Sequence, residues 1–218
     1  MSSAADRLAK VRDDIAAATR RAGREPADVQ LIAVSKGRTA EEIESLIAAG
    51  QRDFGESRVQ EALAKWPSLL ATHSSLRLHC IGRLQSNKAA EAMKLFDVIH
   101  SMDRMSLLKA LAAEARKVGR APSVYIQVNI GEEEQKGGCS IDEIAELVAV
   151  VRQSPLPLAG LMAIPPLGVE PSPYFALLVK LARRHDVTGL SIGMSGDFKE
   201  AVMLGATAVR IGTALFEE

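Results

Sequence analysis

The sequence of 218 residues contains only two cysteines, Cys80 and Cys139. Two isolated thiols form neither a disulfide scaffold nor the closely spaced pair of a CxxC metal or redox site. This usage is typical of a reducing compartment, so we expect a cytoplasmic protein. The chain also lacks an apolar run near the roughly 18 residues of a membrane span. Residues 1–14 are charged and contain no apolar core, so we expect neither a signal peptide nor contact with a membrane.

An excess of charge of one sign is absent as well. Lys and Arg number 27, Asp and Glu number 27, and the net charge is zero. A general nucleic-acid-binding protein is basic, so we expect no nucleic-acid partner. Apolar residues make up 47% and charged residues 25% of the chain, which is typical of a globular protein and excludes disorder as the main state.

Several motifs of catalysis and metal binding are missing. The chain contains no GxxxxGK, no GxGxxG and no GxSxG, and its four histidines show no HExxH spacing. These absences argue against phosphate-binding loops of the P-loop type, a serine nucleophile elbow and a zinc site. We therefore expect no metal. The glutamates at 132–134 are interpreted as a solvated turn, with calcium binding as the alternative.

The pattern that is present is an alternation of short apolar segments with helical periodicity. Strands are predicted at 29–35, 52–55, 77–81, 97–100, 124–130, 158–164, 189–192 and 208–211. Helices are predicted at 3–22, 40–49, 58–66, 87–95, 105–118, 141–153, 173–185 and 197–204, and Pro67 is expected to end the third. Such alternation indicates parallel βα units, and eight of them fit a closed barrel. The sequence therefore predicts an α/β fold: a single (β/α)8 TIM-like barrel domain over 1–218, in which the extra N-terminal helix fills the place of the eighth. An open doubly wound sheet is the alternative.

In such a barrel the functional residues lie where the strands end at their carboxyl side. Lys36 follows five residues that we expect to be buried, at the exit of the first strand. Desolvation lowers the pKa of a lysine amine and frees it for Schiff-base chemistry. The alternative is a lysine whose stem lies along the strand end while its amine reaches solvent.

A second candidate region runs from Ser191 to Thr213. The small residues of the segment 193–197 let the backbone approach a ligand, and the hydroxyl of Ser195 or Ser191 can donate to it. The N-terminus of the following helix offers further N–H groups, as does the segment 210–213 after the last strand. Barrels often hold phosphate at these two loops. The alternative is that Ser195 only caps a helix.

Six stretches of the chain match one family in order and position. They are LIAVSK (31–36), FGE with VQE (54–61), HCIGRLQSNK (79–88), GLMAIP (160–165), LSIGMSGDF (190–198) and VRIGTALF (209–216). On these stretches the chain resembles the pyridoxal phosphate (PLP) homeostasis proteins, a family related to the N-terminal barrel of alanine racemases.

The resemblance implies that PLP is held as a Schiff base on Lys36. It implies that Ser195, Gly212 and Thr213 hold the phosphate, and that Arg210 lies near the pyridine nitrogen. It further implies a protein that buffers the cofactor or hands it to PLP-dependent apo-enzymes by transient contact. We expect a monomer. The stretch QKGG (135–138) looks like the family's lysine-glycine loop, which makes Lys136 a further candidate.

Three positions depart from the family pattern. Ser57 stands where Asn is common, Arg38 where Lys is common, and Phe216-Glu217 where the family has Phe-Gly. The stretch between GLMAIP and LSIGMS is also shorter than in the family. These departures concern the surroundings of the cofactor and the surface for its transfer, not Lys36.

A carrier is expected rather than an enzyme. An arginine at the ring nitrogen cannot accept a proton, so carbanion stabilisation would be weak. Alanine racemases also use a tyrosine helped by a second, β-rich domain, which we do not expect here; Tyr125 and Tyr174 are not at predicted strand exits. The alternative is a weak amino-acid racemase that uses Lys136, His79 or Cys139 as its base. A protein-binding scaffold without cofactor is the third hypothesis.

Overall fold

Eight parallel strands close into a barrel in the computed structural model, which describes residues 2–133 and 135–217. Neighbours in the chain are neighbours in the barrel, and β1 pairs with both β2 and β8. The strands are β1 (Gln30–Val34), β2 (Asp53–Glu56), β3 (Arg77–Cys80), β4 (Val98–Met102), β5 (Ser123–Gln127), β6 (Leu158–Met162), β7 (Leu190–Ser191) and β8 (Ala208–Ile211). The closed order confirms the predicted (β/α)8 barrel over the open sheet.

Helices surround this barrel. They are α1 (Ala4–Arg21), α2 (Ala40–Ala48), α3 (Val59–Thr72), α4 (Ala89–Leu95), α5 (Met105–Val118), α6 (Ile144–Gln153), α7 (Ser172–Arg184), α8 (Phe198–Met203) and α9 (Thr213–Phe216). None of these helices is long and apolar enough to cross a membrane, within the residues that the structure describes.

The N-terminal helix completes the outer ring, as predicted. Its start is held by a capping box in which the Ser3 side chain accepts from the Asp6 backbone and the Asp6 carboxylate accepts from Ser3. Arg7 Nε donates to the Leu215 carbonyl over 2.8 Å. These contacts fix α1 beside α9, between the last and the first βα units.

The prediction that Pro67 ends the third helix is wrong. Pro67 lies inside α3, which continues to Thr72. A proline inside a helix removes one hydrogen bond and costs about 3 kcal/mol. Trp66 and Leu69 are buried on either side of it, and burying a side chain such as leucine stabilises by about 1.5–3 kcal/mol. Packing of α3 on the barrel therefore outweighs the local preference.

The core has two compartments, because successive strand residues point to opposite faces. One face of each strand packs against the helices, and the other lines the barrel interior. Val98, Tyr125 and Met162 form an apolar cluster of their own, separate from the main core. Buried polar side chains also stand on the strands, among them His79, His100 and Ser191, and His100 stacks on Tyr125 of that cluster.

Candidate functional site

A cavity of about 330 Å³ opens at the carboxyl ends of β1, β7 and β8. This volume is within the range of small-molecule sites, roughly 300–1,000 Å³. The lining residues are Val34, Lys36, Arg38, Met194, Ser195, Gly196, Arg210, Gly212, Thr213 and Glu217. All five residues that the sequence assigned to the cofactor are among them, although they lie up to 177 positions apart in the chain (213 minus 36).

The backbone around Lys36 is held by hydrogen bonds. Lys36 follows β1 in a turn, and Gly37 adopts a φ of +70°, a conformation that favours glycine. The Gly37 N–H donates to Glu61 Oε1 over 2.6 Å, and the Arg38 N–H donates to the Ser35 carbonyl over 3.1 Å. The amine of Lys36 is thus carried on an anchored turn at the cavity rim.

The structure contradicts the desolvated surroundings suggested for Lys36 and agrees with the alternative of a lysine that reaches solvent. The residue is exposed, because β1 ends at Val34 and the following turn projects beyond the barrel rim. The structure shows an accessible primary amine that lines the cavity.

A lysine of this region that sequence reasoning missed is Lys65, whose side chain is largely covered. Its Nζ lies 2.7 Å from Glu56 Oε1 and donates to the Ser35 carbonyl over 2.8 Å. Glu56 is fully buried, and its Oε1 also accepts from the Ser35 hydroxyl at 2.8 Å and from Trp66 Nε1 at 2.9 Å. This network fastens the exits of β1 and β2 to α3. A lysine four positions after Glu61 on a helix gave no sequence signal of such a contact.

Two loops form the opposite side of the cavity. Ser195, in the loop after β7, accepts a hydrogen bond through Oγ from the Gly212 N–H over 3.3 Å. Gly193 has a φ of +93°, and a Cβ atom there would lie 2.7 Å from the Cβ of Ala201. The following helix, whose N-terminus the sequence suggested as a source of further N–H groups, has only six residues.

Arg210 forms the floor of the cavity. Its Nη1 donates to the Ser191 carbonyl at 2.7 Å and to Ser191 Oγ at 2.5 Å, and its Nη2 donates to the Ala163 carbonyl at 3.1 Å. Burial lowers the pKa of Arg210 to about 10, so the side chain stays charged at neutral pH. The Ser191 hydroxyl is engaged below the cavity, so of the two serines proposed as donors it is Ser195 that lines it.

The three side chains considered as bases lie elsewhere. Lys136 Nζ is 2.5 Å from Glu133 Oε2 and donates to the Pro165 carbonyl at 3.3 Å. Burial raises the pKa of Cys139 to about 12, and His79 is buried within the barrel. None of the three lines the cavity that contains Lys36.

The two tyrosines also lie away from the strand exits. Tyr125 stacks on His100 inside the barrel, with 4.4 Å between ring centroids, and burial raises its pKa. Tyr174 lies on α7. Of the glutamates at 132–134, Glu134 is outside the described residues. In the described part of the chain, no three His, Cys, Asp or Glu side chains are grouped as metal ligands would be.

Two of the departures from the family pattern meet at the cavity rim. Arg38 forms an ion pair with Glu217, and its guanidinium lies 5.2 Å from the ring centroid of Phe216. The third departure, Ser57, has its backbone against Gly82, where a Cβ atom would come within 2.1 Å of the Ser57 carbonyl oxygen. Arg38 and the Phe216-Glu217 pair are therefore coupled in space, and Ser57 lies at a close contact of two backbones.

Comparison with known proteins gives a consistent result over nearly the whole chain. Residues 7–218 match the family model of the alanine racemase N-terminal domain. The pyridoxal phosphate homeostasis protein of Pseudomonas aeruginosa is 42% identical, with 99% of this chain and 96% of that protein aligned. Its counterpart in Escherichia coli K12 is 40% identical, with 99% and 97% aligned.

Solved structures agree with these relatives. PipY of Synechococcus elongatus PCC7942, solved with PLP bound, superimposes with a TM-score of 0.84 and 40% identity, covering 98% of this chain and 99% of that one. Alanine racemase of Clostridium difficile 630 superimposes with a TM-score of 0.70 and 13% identity, covering 94% of this chain and 56% of that one. The second likeness concerns the fold alone.

Proposed function

This chain belongs to the family of pyridoxal phosphate homeostasis proteins, and we propose that it is a single-domain carrier that binds PLP in the cavity between β1, β7 and β8. The observation that supports this most is the convergence of Lys36, Ser195, Arg210, Gly212 and Thr213 on one cavity. The PLP-bound structure of PipY supports the same ligand.

The residues present fit PLP chemically. The cofactor carries an aldehyde, a phosphate and a pyridine nitrogen. The cavity offers a primary amine on Lys36, the hydroxyls of Ser195 and Thr213, and the guanidinium of Arg210. The amine stands on the β1 side, whereas the hydroxyls belong to the loops after β7 and β8. This separation of the amine from the hydroxyls suits a ligand whose aldehyde and phosphate are at different positions on its ring.

Each residue has a proposed role. Lys36 holds the cofactor covalently through a Schiff base, and Ser195, Gly212 and Thr213 hold its phosphate. Arg210 donates to the pyridine nitrogen, and because arginine has no acceptor atom it keeps that nitrogen without a proton. When bound, the cofactor supplies an electrophilic carbon and an electron sink, and an unprotonated ring makes the sink weak.

The carrier role is favoured over catalysis by what surrounds Lys36. The other titratable groups that line the cavity are Arg38, Arg210 and Glu217, and Glu217 is paired with Arg38. A racemase needs two groups that exchange protons on opposite faces of the substrate. The exposure of Lys36 suits release of the cofactor to a PLP-dependent apo-enzyme, which we propose as the transient partner of a cytoplasmic, monomeric protein.

Covalent labelling tests the proposal. After titration with PLP, the protein should show a visible absorbance band that borohydride abolishes, and peptide mapping should place the reduced label on Lys36. Lys36→Ala should lose the band and the label, whereas the control Lys136→Ala should keep both. A label on Lys88 or Lys136 with Lys36 unmodified would contradict the assignment.

A further inference from the structure

A continuous chain of hydrogen bonds crosses the barrel interior and ends at Arg210. Asp53 Oδ1 lies 3.0 Å from His79 Nε2, and His79 Nδ1 lies 2.9 Å from His100 Nε2. His100 Nδ1 is 2.8 Å from Ser191 Oγ, which is 2.5 Å from Arg210 Nη1. The five residues come from β2, β3, β4, β7 and β8. We call this set the interior relay.

The two ends of the interior relay dictate its direction. Arginine only donates and an ionised carboxylate only accepts. Asp53, at one end, accepts from His79 Nε2–H, which leaves the Nδ1 of a neutral His79 as an acceptor. His100 then donates from Nε2 to His79 Nδ1, and its own Nδ1 is an acceptor. Ser191 Oγ accepts from Arg210 through one lone pair and donates its single hydrogen to His100 Nδ1. Each imidazole thus uses one nitrogen as donor and the other as acceptor, which is the neutral form of both rings.

The surroundings keep this arrangement in place. His79, His100 and Ser191 are fully buried, and Tyr125 stacks on His100 with an interplanar angle of 17°. Buried imidazoles favour the neutral form, since burial disfavours charge.

Asp53, the acceptor at the other end of the interior relay, also has further contacts. Gln30 Nε2 also donates to Asp53 Oδ1, over 2.7 Å. Arg77 Nη1 lies 3.9 Å from the same oxygen. Both contacts place N–H groups against the oxygen at which the interior relay ends.

Arg210 is left with donors for the cavity. Arginine has five N–H groups, and three of them serve Ser191 and Ala163. The Nε–H and one Nη2–H remain for a ligand. Because the side chain is fixed by Ser191 on β7 and by Ala163 just after β6, the direction of these remaining donors is set before any ligand arrives.

We propose that Ser191 and His100 are positioning residues that, through the interior relay anchored on Asp53, fix Arg210 as a hydrogen-bond donor to an aromatic ring nitrogen in the cavity. The ligand half of this inference rests on the proposed binding of PLP. The relay does not deliver protons to the ligand, because the guanidinium at its end does not give one up at neutral pH. Its effect is on geometry, and hence on affinity and on the absorbance of the bound chromophore.

Histidine NMR tests the relay in the cofactor-free protein. Long-range ¹H–¹⁵N spectra at pH 7 should show His79 and His100 neutral, each with its proton on Nε2, whereas Ser191→Ala should change the Nδ1 shift of His100. A protonated ring, or an Nδ1–H tautomer at either position, would overturn the relay. This measurement does not depend on PLP binding, so its failure is distinct from failure of the proposed function.

Two substitutions at one position separate positioning from simple packing. His100→Asn leaves a side-chain oxygen near the place of Nδ1, where it can accept from Ser191. His100→Gln instead reaches the place of Nε2 and leaves Ser191 without its acceptor. We expect His100→Asn to bind PLP within roughly threefold of wild type. His100→Gln and Ser191→Ala should bind about tenfold more weakly or worse, the usual effect of losing a hydrogen bond to a charged group, with a shifted visible band.

Ser101→Ala is the matched control, because Ser101 is also buried on β4 but forms no hydrogen bond with a residue of the interior relay. This substitution should leave the affinity for PLP and the visible absorbance band of the bound cofactor unchanged. If His100→Asn and His100→Gln lose the same amount of PLP affinity while their circular dichroism is unchanged, the positioning role is overturned. Wild-type affinity and spectrum in Ser191→Ala would also overturn that role. If the wild-type protein does not bind PLP, the part of the inference that concerns the ligand is overturned, whatever the NMR result.

Discussion

The Gly212 N–H donates to Ser195 Oγ over 3.3 Å. This bond joins the loop after β7 to the loop after β8, so the two sides of the proposed phosphate site are connected before a ligand binds. The Ser195 oxygen uses an acceptor site for this contact, which leaves its own hydrogen free to donate to a phosphate oxygen.

Ser195→Ala should therefore weaken PLP binding, but only in part. Loss of one hydrogen bond to a charged group corresponds to about 1–3 kcal/mol, or roughly 5–150-fold in Kd. The substitution also frees the Gly212 N–H, which can donate to the phosphate instead. A fluorescence or absorbance titration measures the change, with Ser74→Ala, at an exposed position, as the control. Equal affinity in Ser195→Ala and wild type would remove Ser195 from the phosphate site.

Gly193→Ala should destabilise the protein by more than about 1 kcal/mol. The position has a φ of +93°, and the new Cβ would stand 2.7 Å from the Cβ of Ala201, so both backbone strain and overlap oppose it. Urea unfolding of the cofactor-free protein measures this. Gly196→Ala is the matched control in the same loop, since a Cβ there meets nothing within 4 Å. Similar midpoints for both variants would show that the loop relaxes around the added methyl group without strain.

Stability should fall as the pH is lowered from about 6.5 towards 5. Burial lowers the pKa of His79, partly opposed by Asp53, and burial with the nearby His79 and Arg210 places the pKa of His100 well below its usual range. The unfolded chain therefore binds more protons than the folded one below about pH 6.5. Each histidine should lower the free energy of unfolding by up to about 1.4 kcal/mol per pH unit until its folded pKa is reached.

Urea titrations between pH 7.5 and 5 test this pH dependence. His100→Asn should have a smaller slope than wild type by up to one proton, whereas the half-buried His73, replaced in His73→Gln, should have less effect. Most carboxyl groups titrate below this window. If the free energy of unfolding falls equally steeply with pH in His100→Asn and in wild type, His100 does not cause the pH dependence.

Both cysteines should react slowly in the folded protein. Burial raises the pKa of Cys80 and of Cys139 to about 12, and only the thiolate reacts with disulfide reagents. Against an ordinary thiol pKa near 8.5, the thiolate fraction at pH 8 is lower by about three orders of magnitude. The rate of reaction with a chromogenic disulfide, compared with and without guanidinium chloride, measures this. Fast labelling of either cysteine without denaturant would contradict the burial of its thiol.

The PLP-loaded protein should exchange the α-proton of amino acids only slowly. In the proposed complex Arg210 donates to the ring nitrogen, and Glu217, the carboxylate that lines the cavity, is paired with Arg38. One proton-transfer step then lacks its catalyst, which typically costs roughly 10²–10⁴-fold. Deuterium incorporation at the α-carbon of alanine, followed by NMR in D₂O, is the measurement. Exchange at an ordinary enzymatic rate, about 1–10³ s⁻¹, would favour the racemase alternative over the carrier.

The barrel and the identity of the cavity residues could be predicted from the sequence. Each strand can be predicted from a few neighbouring residues, because it is a short apolar run between two segments with helical periodicity. The parallel order of the strands then places every strand exit at one rim of the barrel. Lys36, Ser195 and Arg210 each follow or end such a strand, so their convergence followed from topology without any knowledge of distances.

What only the tertiary structure decided depends on contacts between distant strands. Pro67 remains inside α3 because Trp66 and Leu69 pack on the barrel, and Lys36 is exposed because the rim leaves its turn uncovered. Local sequence propensities predict neither the packing around Pro67 nor the exposure of Lys36. The interior relay is the clearest case: its members stand on five strands, and no spacing in the sequence relates them to one another. Their hydrogen bonds exist because closing the barrel removes water from its interior, where a buried polar group must find its partner within the protein.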